Sequence, residues 1–232
     1  MTFIAIDTST KVCSAALLQD GAVLQSFICY DTHNHAALLP QYVESLLNHT
    51  KQHSVSIDAV VLCDGPGSYT GLRISTALAK GLCYGLNIPL IAVSTLTLLA
   101  IELSQLYEGR LKADDVICPM IDARRMEVYC ALYQADTKQI SPTEARIVDK
   151  DSFSEVLKKQ RVFFFGDGAG KCKETIKSEN AVFVDDVPPN TIFLYDLAEQ
   201  KYREKQFEDI AYFEPNYLKE YQAKVSKNKV IG

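Results

Sequence analysis

The sequence predicts an α/β protein of two lobes, each built on a mixed β-sheet, with the second lobe reduced. Short apolar runs typical of buried strands alternate with segments of helical periodicity along the 232 residues. The first half gives three strands, then helix, strand, helix, strand and helix, and the second half repeats this logic in a shorter form. A polar stretch at residues 106–115 separates the halves and places the predicted lobes at residues 1–105 and 106–232.

The first three strands are predicted to form an antiparallel meander. Phe3 to Ile6 is a continuous apolar run, and Cys13 to Leu18 is a second one. Asp20 and Gly21 then offer a tight hairpin turn into a third strand, Ala22 to Cys29.

The rest of the first lobe alternates helices and strands. Apolar residues at helical spacing predict a helix over residues 35–53, and strands follow at 59–64 and 90–93. A glycine loop at 65–71 leads into a helix that runs to about Leu86, and another helix begins near Ser94. This order is that of a ribonuclease-H-like unit, whose strand–helix–strand pieces give a partly parallel sheet covered on both faces.

The second lobe repeats this pattern with fewer and shorter elements. Its predicted strands and helices lie at residues 116–122, 127–134, 152–159 (helix), 161–165, 182–184 and 192–205 (helix). A second glycine loop, Gly166 to Gly170, follows a strand; it is a tight turn or, as a weaker interpretation, a loop that faces a nucleotide.

Net charge argues against a protein that grips nucleic acid by itself. The formal charge is -5, whereas such proteins usually present a basic face. The lysines near the end of the chain are the one basic candidate, and a solvated, frayed tail is the simpler interpretation: Lys219, Lys224, Lys227 and Lys229.

Cysteine use and hydropathy indicate the cytoplasm. The seven cysteines include no C-x-x-C pair, which predicts a reducing compartment without disulfides or a zinc site. No signal peptide and no membrane-spanning run is evident. A zinc pair at His49 and His53 lacks further ligands, so a solvated helical face is the preferred interpretation.

Two motifs are candidates for chemistry. Asp7 ends a buried strand and precedes Thr8 and Ser9, so its carboxylate could hold a metal or phosphate, or cap a local turn. The loop from Gly65 to Gly71 could bring backbone amides to a phosphate, or allow close packing of the next helix. It lacks the lysine of a Walker A loop, and no Ser/His/Asp order or nucleophile elbow appears.

The helix after this loop carries small residues four apart. Gly71, Ser75, Ala79 and Cys83 would let another helix approach closely. From the sequence alone, that second helix belongs equally well to this chain or to a partner.

Five segments in order along the chain resemble the TsaB (YeaZ) family. The most specific are Gly65 to Ile74 and Ile121 to Tyr129; the others are Ile4 to Ser9, Pro89 to Leu96 and Glu214 to Lys219. The resemblance implies an actin-like (ASKHA) fold of two ribonuclease-H-like lobes. It also implies a role in forming N6-threonylcarbamoyladenosine in tRNA, beside a catalytic TsaD-like paralogue that transfers threonylcarbamoyl from threonylcarbamoyl-AMP, and a TsaE-like P-loop ATPase.

Departures from the catalytic paralogue imply that this chain is an accessory subunit, without catalytic or metal-binding residues. Thr95 and Leu99 stand where TsaD-like proteins carry two metal-binding histidines, and Lys11 and Val12 replace an acidic pair. The resemblance therefore implies that ATP and metal bind to partner subunits, and that this chain meets tRNA only through the complex. Asp7, Thr8 and Ser9 keep a structural role or contact a nucleotide at a composite site.

The family packs the helix after the glycine loop against TsaD. The expected interface residues are Leu72, Arg73, Ser75, Thr76, Ala79 and Cys83. Self-pairing through the same helices is expected when the partner is absent. The alternative function is an ATP-dependent phosphotransferase of the same superfamily, for which only Asp7 is a clear candidate.

Overall fold

A computed structural model describes residues 1–30 and 34–219, and within them two mixed sheets form separate layers. His33, Lys224, Lys227 and Lys229 lie outside the described residues. The predicted α/β fold with two mixed sheets is confirmed.

The first sheet has the strand order β3-β2-β1-β4-β5. Its strands are β1 (Thr2–Asp7), β2 (Cys13–Gln19), β3 (Ala22–Cys29), β4 (Ala59–Gly65) and β5 (Leu90–Ser94). The first three are antiparallel, whereas β1, β4 and β5 run parallel, as predicted. Asp20 and Gly21 form the hairpin turn with φ values of 48° and 81°.

Three helices follow strands of this sheet: α1 (His35–His53), α2 (Tyr69–Leu86) and α3 (Thr95–Leu106). The apolar faces of α1 and α2 pack on one side of the sheet, where Leu39, Leu46 and Ala79 join Ile4 and Leu62 in one core cluster. Ser68 caps α2, because its Oγ accepts the Gly71 N–H at 3.3 Å.

The second sheet has the order β11-β10-β6-β7-β9, with β8 paired to β6. Its strands are β6 (Val116–Asp122), β7 (Glu127–Cys130), β8 (Tyr133–Gln134), β9 (Glu144–Ile147), β10 (Val162–Phe165) and β11 (Ala181–Phe183). The remaining helices are α4 (Ser154–Leu157), α5 (Tyr195–Arg203) and 3-10 turns at Gly170–Cys172 and Thr191–Leu194.

Several predicted elements of the second lobe are shorter than expected. The strand at residues 127–134 is two strands, because the Leu132 N–H leaves the ladder and donates to Ser141 Oγ at 2.8 Å. The helix at 152–159 shrinks to the single turn of α4, and the second glycine loop leads only into a 3-10 turn. Strand β9 was not predicted.

The end of the described chain returns to the first sheet. Leu194, Tyr195 and Ala198 complete the core cluster around Phe3 and Ala5. The predicted division of the chain at residues 105 and 106 stays a prediction.

Residues 206–219 then run along the surface and contact the elements of both sheets. Phe213 accepts a hydrogen bond at its carbonyl from Lys80 Nζ (3.1 Å), the Asn216 N–H donates to the Asp64 carbonyl (2.8 Å), and Lys219 forms an ion pair with Glu127 on β7. Because this segment contacts both sheets, it helps to hold the two lobes together.

None of the helices within residues 1–30 and 34–219 combines the length and the apolar character needed to cross a membrane.

Candidate functional site between the two sheets

The two motifs singled out in the sequence pack directly on each other. A Cβ at Gly71 would lie 1.9 Å from the Thr8 carbonyl oxygen, and one at Gly67 would lie 2.2 Å from the Ser9 carbonyl oxygen. Thr8 Oγ1 donates to the Gly71 carbonyl at 2.8 Å, and the Ser68 N–H donates to the Ser9 carbonyl at 2.6 Å. Both glycines are therefore required for close contact between the loop and the turn after β1.

Asp7 lies beneath this contact and is fully buried. Its Oδ1 accepts the Ser9 N–H at 3.2 Å, and its Oδ2 has no hydrogen-bond partner among the described residues. Burial raises the pKa of Asp7 from 3.8 to about 7, because the low-dielectric interior disfavours the carboxylate. Asp7 therefore forms the local turn that the simpler interpretation predicted, and its carboxyl does not reach the surface.

A cleft of about 1030 Å³ opens above this turn, between the two sheets. One wall comes from Ser9, Lys11 and the glycine loop, and the other from the end of β6 and the loop at Asp167. Residues 216–219 line its edge. The charged residues that line it are Lys11, Asp122, Arg124, Asp167 and Lys219.

The hairpin between β6 and β7 carries two arginines in the left-handed backbone region. Arg124 and Arg125 have φ values of 70° and 50°. This conformation costs about 1–2 kcal/mol per non-glycine residue, so the hairpin is held by its surroundings. Asp122 provides part of that support, since its Oδ1 accepts the Arg124 N–H at 2.8 Å and also forms an ion pair with Lys171.

Sequence reasoning assigned no role to this hairpin. The available signal was the adjacent pair of arginines, which occupies a hairpin tip where Asn and Gly are usual.

Two tyrosines and an arginine are in contact at the mouth of the cleft. The rings of Tyr69 and Tyr217 lie 4.9 Å apart, and the Arg73 guanidinium lies 5.4 Å from the Tyr69 ring centroid. Arg73 is exposed, and its predicted position at the edge of a contact surface stays a prediction.

A second cavity of about 660 Å³ lies beside Lys11, α3 and the segment before Thr191. Glu102 on α3 lines this cavity although its side chain is only 3% exposed. Its Oε2 accepts the Asn190 N–H at 3.1 Å, and burial raises its pKa from 4.5 to about 8. Sequence analysis missed Glu102, although it is the one charged residue of α3.

Five of the six predicted interface residues are buried within this chain. Leu72, Ser75, Thr76, Ala79 and Cys83 are at most 6% exposed, because this face of α2 packs against the first sheet. The prediction that these five side chains contact a partner directly is therefore corrected, because they lie inside the chain, beneath the exposed face of α2. Contact between α2 and a partner stays a prediction.

The outer face of α2 carries another row of small residues. Ala77, Gly81 and Gly85 are exposed four residues apart, and a Cβ at Gly81 or Gly85 would meet no atom within 4 Å. The adjacent Tyr84 is 83% exposed.

Comparison with known proteins connects this arrangement with one family. The family model described as TsaD, tRNA N6-adenosine threonylcarbamoyltransferase, matches residues 30–227. A tRNA threonylcarbamoyladenosine biosynthesis protein TsaB from Bacillus subtilis is 37% identical over 181 residues, which cover 76% of each chain. The chain belongs to the TsaB family. The TsaB of Haemophilus influenzae is 28% identical over 229 residues and covers 94% of both chains.

Solved structures extend this similarity to the fold of TsaB proteins. YeaZ from Pseudomonas aeruginosa has a TM-score of 0.76 at 27% identity, over 94% of this chain and 99% of that one. The predicted family and the actin-like fold that it implied are confirmed.

His49 and His53 of α1, for which a solvated helical face is the preferred interpretation, contact each other in this TsaB-family chain. His49 and His53 stack on each other with ring centroids 4.2 Å apart. Within residues 1–30 and 34–219, no three His, Cys, Asp or Glu side chains are grouped to hold a metal ion.

Proposed function

We propose that this chain is a non-catalytic subunit of tRNA threonylcarbamoyladenosine biosynthesis that binds and supports a TsaD-type paralogue. Membership of the TsaB family confirms the predicted pathway. The accessory role rests on one observation above all: the polar turn after β1 is closed by the chain's own glycine loop.

This closure opposes catalysis at the turn. The Thr8 hydroxyl donates to the Gly71 carbonyl and the Ser68 amide donates to the Ser9 carbonyl, so these polar groups of the turn and the loop satisfy each other. Asp7, the one candidate for a catalytic carboxylate, is fully buried with a pKa of about 7, so a large fraction of it is neutral at neutral pH. The alternative, an ATP-dependent phosphotransferase, would need this carboxylate to face the substrate.

The outer face of α2 fits the proposed docking surface. Ala77 and Gly81 leave room for the backbone of a partner helix, and Tyr84 offers a large apolar and hydrogen-bonding contact at the interface. Arg73 adds a charge at one end of this row. We infer that these residues, and not the buried row beneath them, contact the paralogue.

Substitution of Ala77 or Gly81 by Arg tests this surface. Either side chain would project from an exposed helix, so the fold is retained, whereas a long charged group would separate the two helices. Co-elution with the TsaD-type paralogue is expected to be lost, and with it threonylcarbamoyl transfer in a reconstituted reaction. Ala79→Arg is not informative here, because Ala79 is fully buried and the variant would unfold.

Ala113→Arg is the matched control, since Ala113 is exposed in a turn of the second lobe. It is expected to co-elute normally. Normal co-elution of both Ala77→Arg and Gly81→Arg would refute the docking surface. Turnover of Mg-ATP by the isolated chain, measured by calorimetry, would instead support the phosphotransferase.

The remaining features of the assembly are part of the same proposal. ATP and metal bind to partner subunits, a TsaE-type P-loop ATPase joins the complex, and tRNA is bound only in the complex. The proposed location is the cytoplasm. In the absence of the paralogue, the same outer helix face supports self-association.

A further inference from the structure

We propose that the Arg124–Arg125 hairpin and the tyrosines across the cleft form a binding site for an RNA loop, with the arginines on its phosphates and Tyr217 against a base. This inference rests on the proposed function, because it places the substrate RNA in direct contact with this chain inside the complex. It also extends that function, which by itself requires no such contact.

The two guanidinium groups of the hairpin are uncompensated among the described residues. The other arginines of the chain each have a partner: Arg73 with Tyr69, Arg110 with Tyr107, Arg146 with Glu144, Arg161 with Asp115 and Arg203 with Glu199. Arg124 and Arg125 form no ion pair and donate no side-chain hydrogen bond to any described residue. Both are exposed, and Arg124 lines the cleft.

Nearby carboxylates are already occupied. Asp122 forms an ion pair with Lys171 and accepts the Arg124 N–H, Asp167 accepts the Asp122 N–H at 2.9 Å, and Glu127 forms an ion pair with Lys219. Positive charge therefore remains at the hairpin tip, although the whole chain carries a net charge of -5. Two exposed guanidinium groups without a carboxylate partner attract an anionic ligand.

The backbone conformation of the hairpin is a second observation, beside its charge, that indicates a binding site. Arg124 and Arg125 are the one adjacent pair of non-glycine residues with positive φ in the described chain. A structural turn would be satisfied by Asn or Gly at these positions. Strained residues of this kind cluster at binding sites, where the surrounding structure holds them in place.

The opposite side of the cleft supplies the second chemistry that RNA requires. Tyr217 and Tyr69 line the same cleft, lie in tilted contact with ring centroids 4.9 Å apart, and remain partly accessible. Planar rings of this kind accept unstacked bases, and guanidinium groups bind phosphates in a bidentate manner. A loop of RNA presents both groups together, whereas an acidic peptide presents only the charge.

The test uses the complex of this chain with its TsaD-type paralogue and a fluorescein-labelled, unmodified tRNA transcript. Fluorescence anisotropy gives the Kd at several salt concentrations. Replacing both arginines by Ala is expected to raise the Kd about 10-fold at moderate salt. The same change should reduce the slope of log Kd against log salt by about 2, one for each phosphate that the variant no longer neutralises.

Further variants separate the effects of charge, backbone strain and the tyrosine ring. Lys138→Ala combined with Lys150→Ala removes the same charge from exposed positions of the same lobe outside the cleft, and is expected to bind tRNA as the wild type does. Replacing Arg124 and Arg125 by Gly relieves the backbone strain, so we expect no loss of Tm together with the same loss of affinity. Tyr217→Ala should weaken binding without changing the salt slope, and Tyr217→Phe should restore it.

An unchanged Kd and slope for the double Ala variant in a complex that co-elutes would overturn the RNA contact and leave the subunit role intact. An equal loss of tRNA affinity in the Lys138→Ala, Lys150→Ala variant would also overturn the RNA contact. Displacement of labelled tRNA by polyglutamate as effectively as by unlabelled tRNA would overturn it as well. Failure of the wild-type chain to co-elute with the paralogue would instead overturn the subunit role, and with it this contact.

Discussion

Replacing Asp7 by Asn should stabilise the protein increasingly as the pH rises. The Asp7 carboxyl is buried with one oxygen unpartnered among the described residues, and its pKa is raised from 3.8 to about 7. Below pH 3.8 it is protonated in both the folded and the unfolded chain. Between pH 3.8 and about 7 only the unfolded chain releases the proton, so the free energy of unfolding falls as the pH rises and levels off above about 7.

The expected size of this effect follows from the pKa difference. Between about pH 5 and about pH 8, the raised pKa lowers the free energy of unfolding by about 2.5 kcal/mol. Asn has nearly the same shape and no charge, so Asp7→Asn removes this loss. The amide adds a constant offset of about 1–2 kcal/mol if its N–H groups find no acceptor, and this offset does not depend on pH.

Urea unfolding at the two pH values measures the difference. Circular dichroism is the suitable signal because the chain contains no tryptophan. The advantage of Asp7→Asn over the wild type should be about 2.5 kcal/mol larger at about pH 8 than at about pH 5. Asp114→Asn, at an exposed position, is the control and should show no such change. A difference between Asp7→Asn and the wild type that is the same at both pH values would refute the reasoning, because Asp7 would then be ionised without cost.

Glu102→Gln should likewise increase the free energy of unfolding relative to the wild type as the pH rises to about 8, where the pKa of Glu102 lies. The Gln side-chain oxygen can still accept the Asn190 N–H. A free energy of unfolding that runs parallel to the wild type from pH 5 to pH 9 would contradict this prediction. Gly71→Ala should lower the free energy of unfolding by about 1–3 kcal/mol or more, because the new Cβ collides with the Thr8 carbonyl. Gly81 lies on the same helix with open space around it, so Gly81→Ala should instead raise the free energy of unfolding by about 0.5–1 kcal/mol. Equal effects of the two substitutions in urea unfolding would argue against the close contact at Gly71.

Hydrophobic periodicity was sufficient to predict the first lobe. The helix at residues 35–53 has the predicted bounds, and all five strands of the first sheet begin and end within about two residues of the expected positions. Each of these segments is long or mostly apolar, so burial and local preference agree.

The second lobe was harder because its elements are short. Strand β9 (Glu144–Ile147) alternates weakly and has a half-exposed face, and it becomes a strand by pairing with β7. Such pairing depends on a partner far along the chain, which a local pattern does not encode.

The orientation of α2 was the main ambiguity in the candidate site. Gly71, Ser75 and Ala79 form one row of small residues, and Ala77 and Gly81 form another two positions away. Both rows repeat every four residues, so the sequence shows that α2 allows close packing on two sides. Only the structure distinguishes the side against the sheet from the side exposed to solvent.

The position of the last helix has a consequence for synthesis of the chain. The cluster that contains Phe3, Ala5 and Ala16 is closed by Leu194, Tyr195 and Ala198. All five strands of the first sheet precede Leu194 in the chain, so during synthesis this side of the nascent sheet is covered only in part, by Leu98 of α3. We expect the nascent sheet to expose apolar surface during that interval, and termination before Leu194 to release an aggregation-prone fragment.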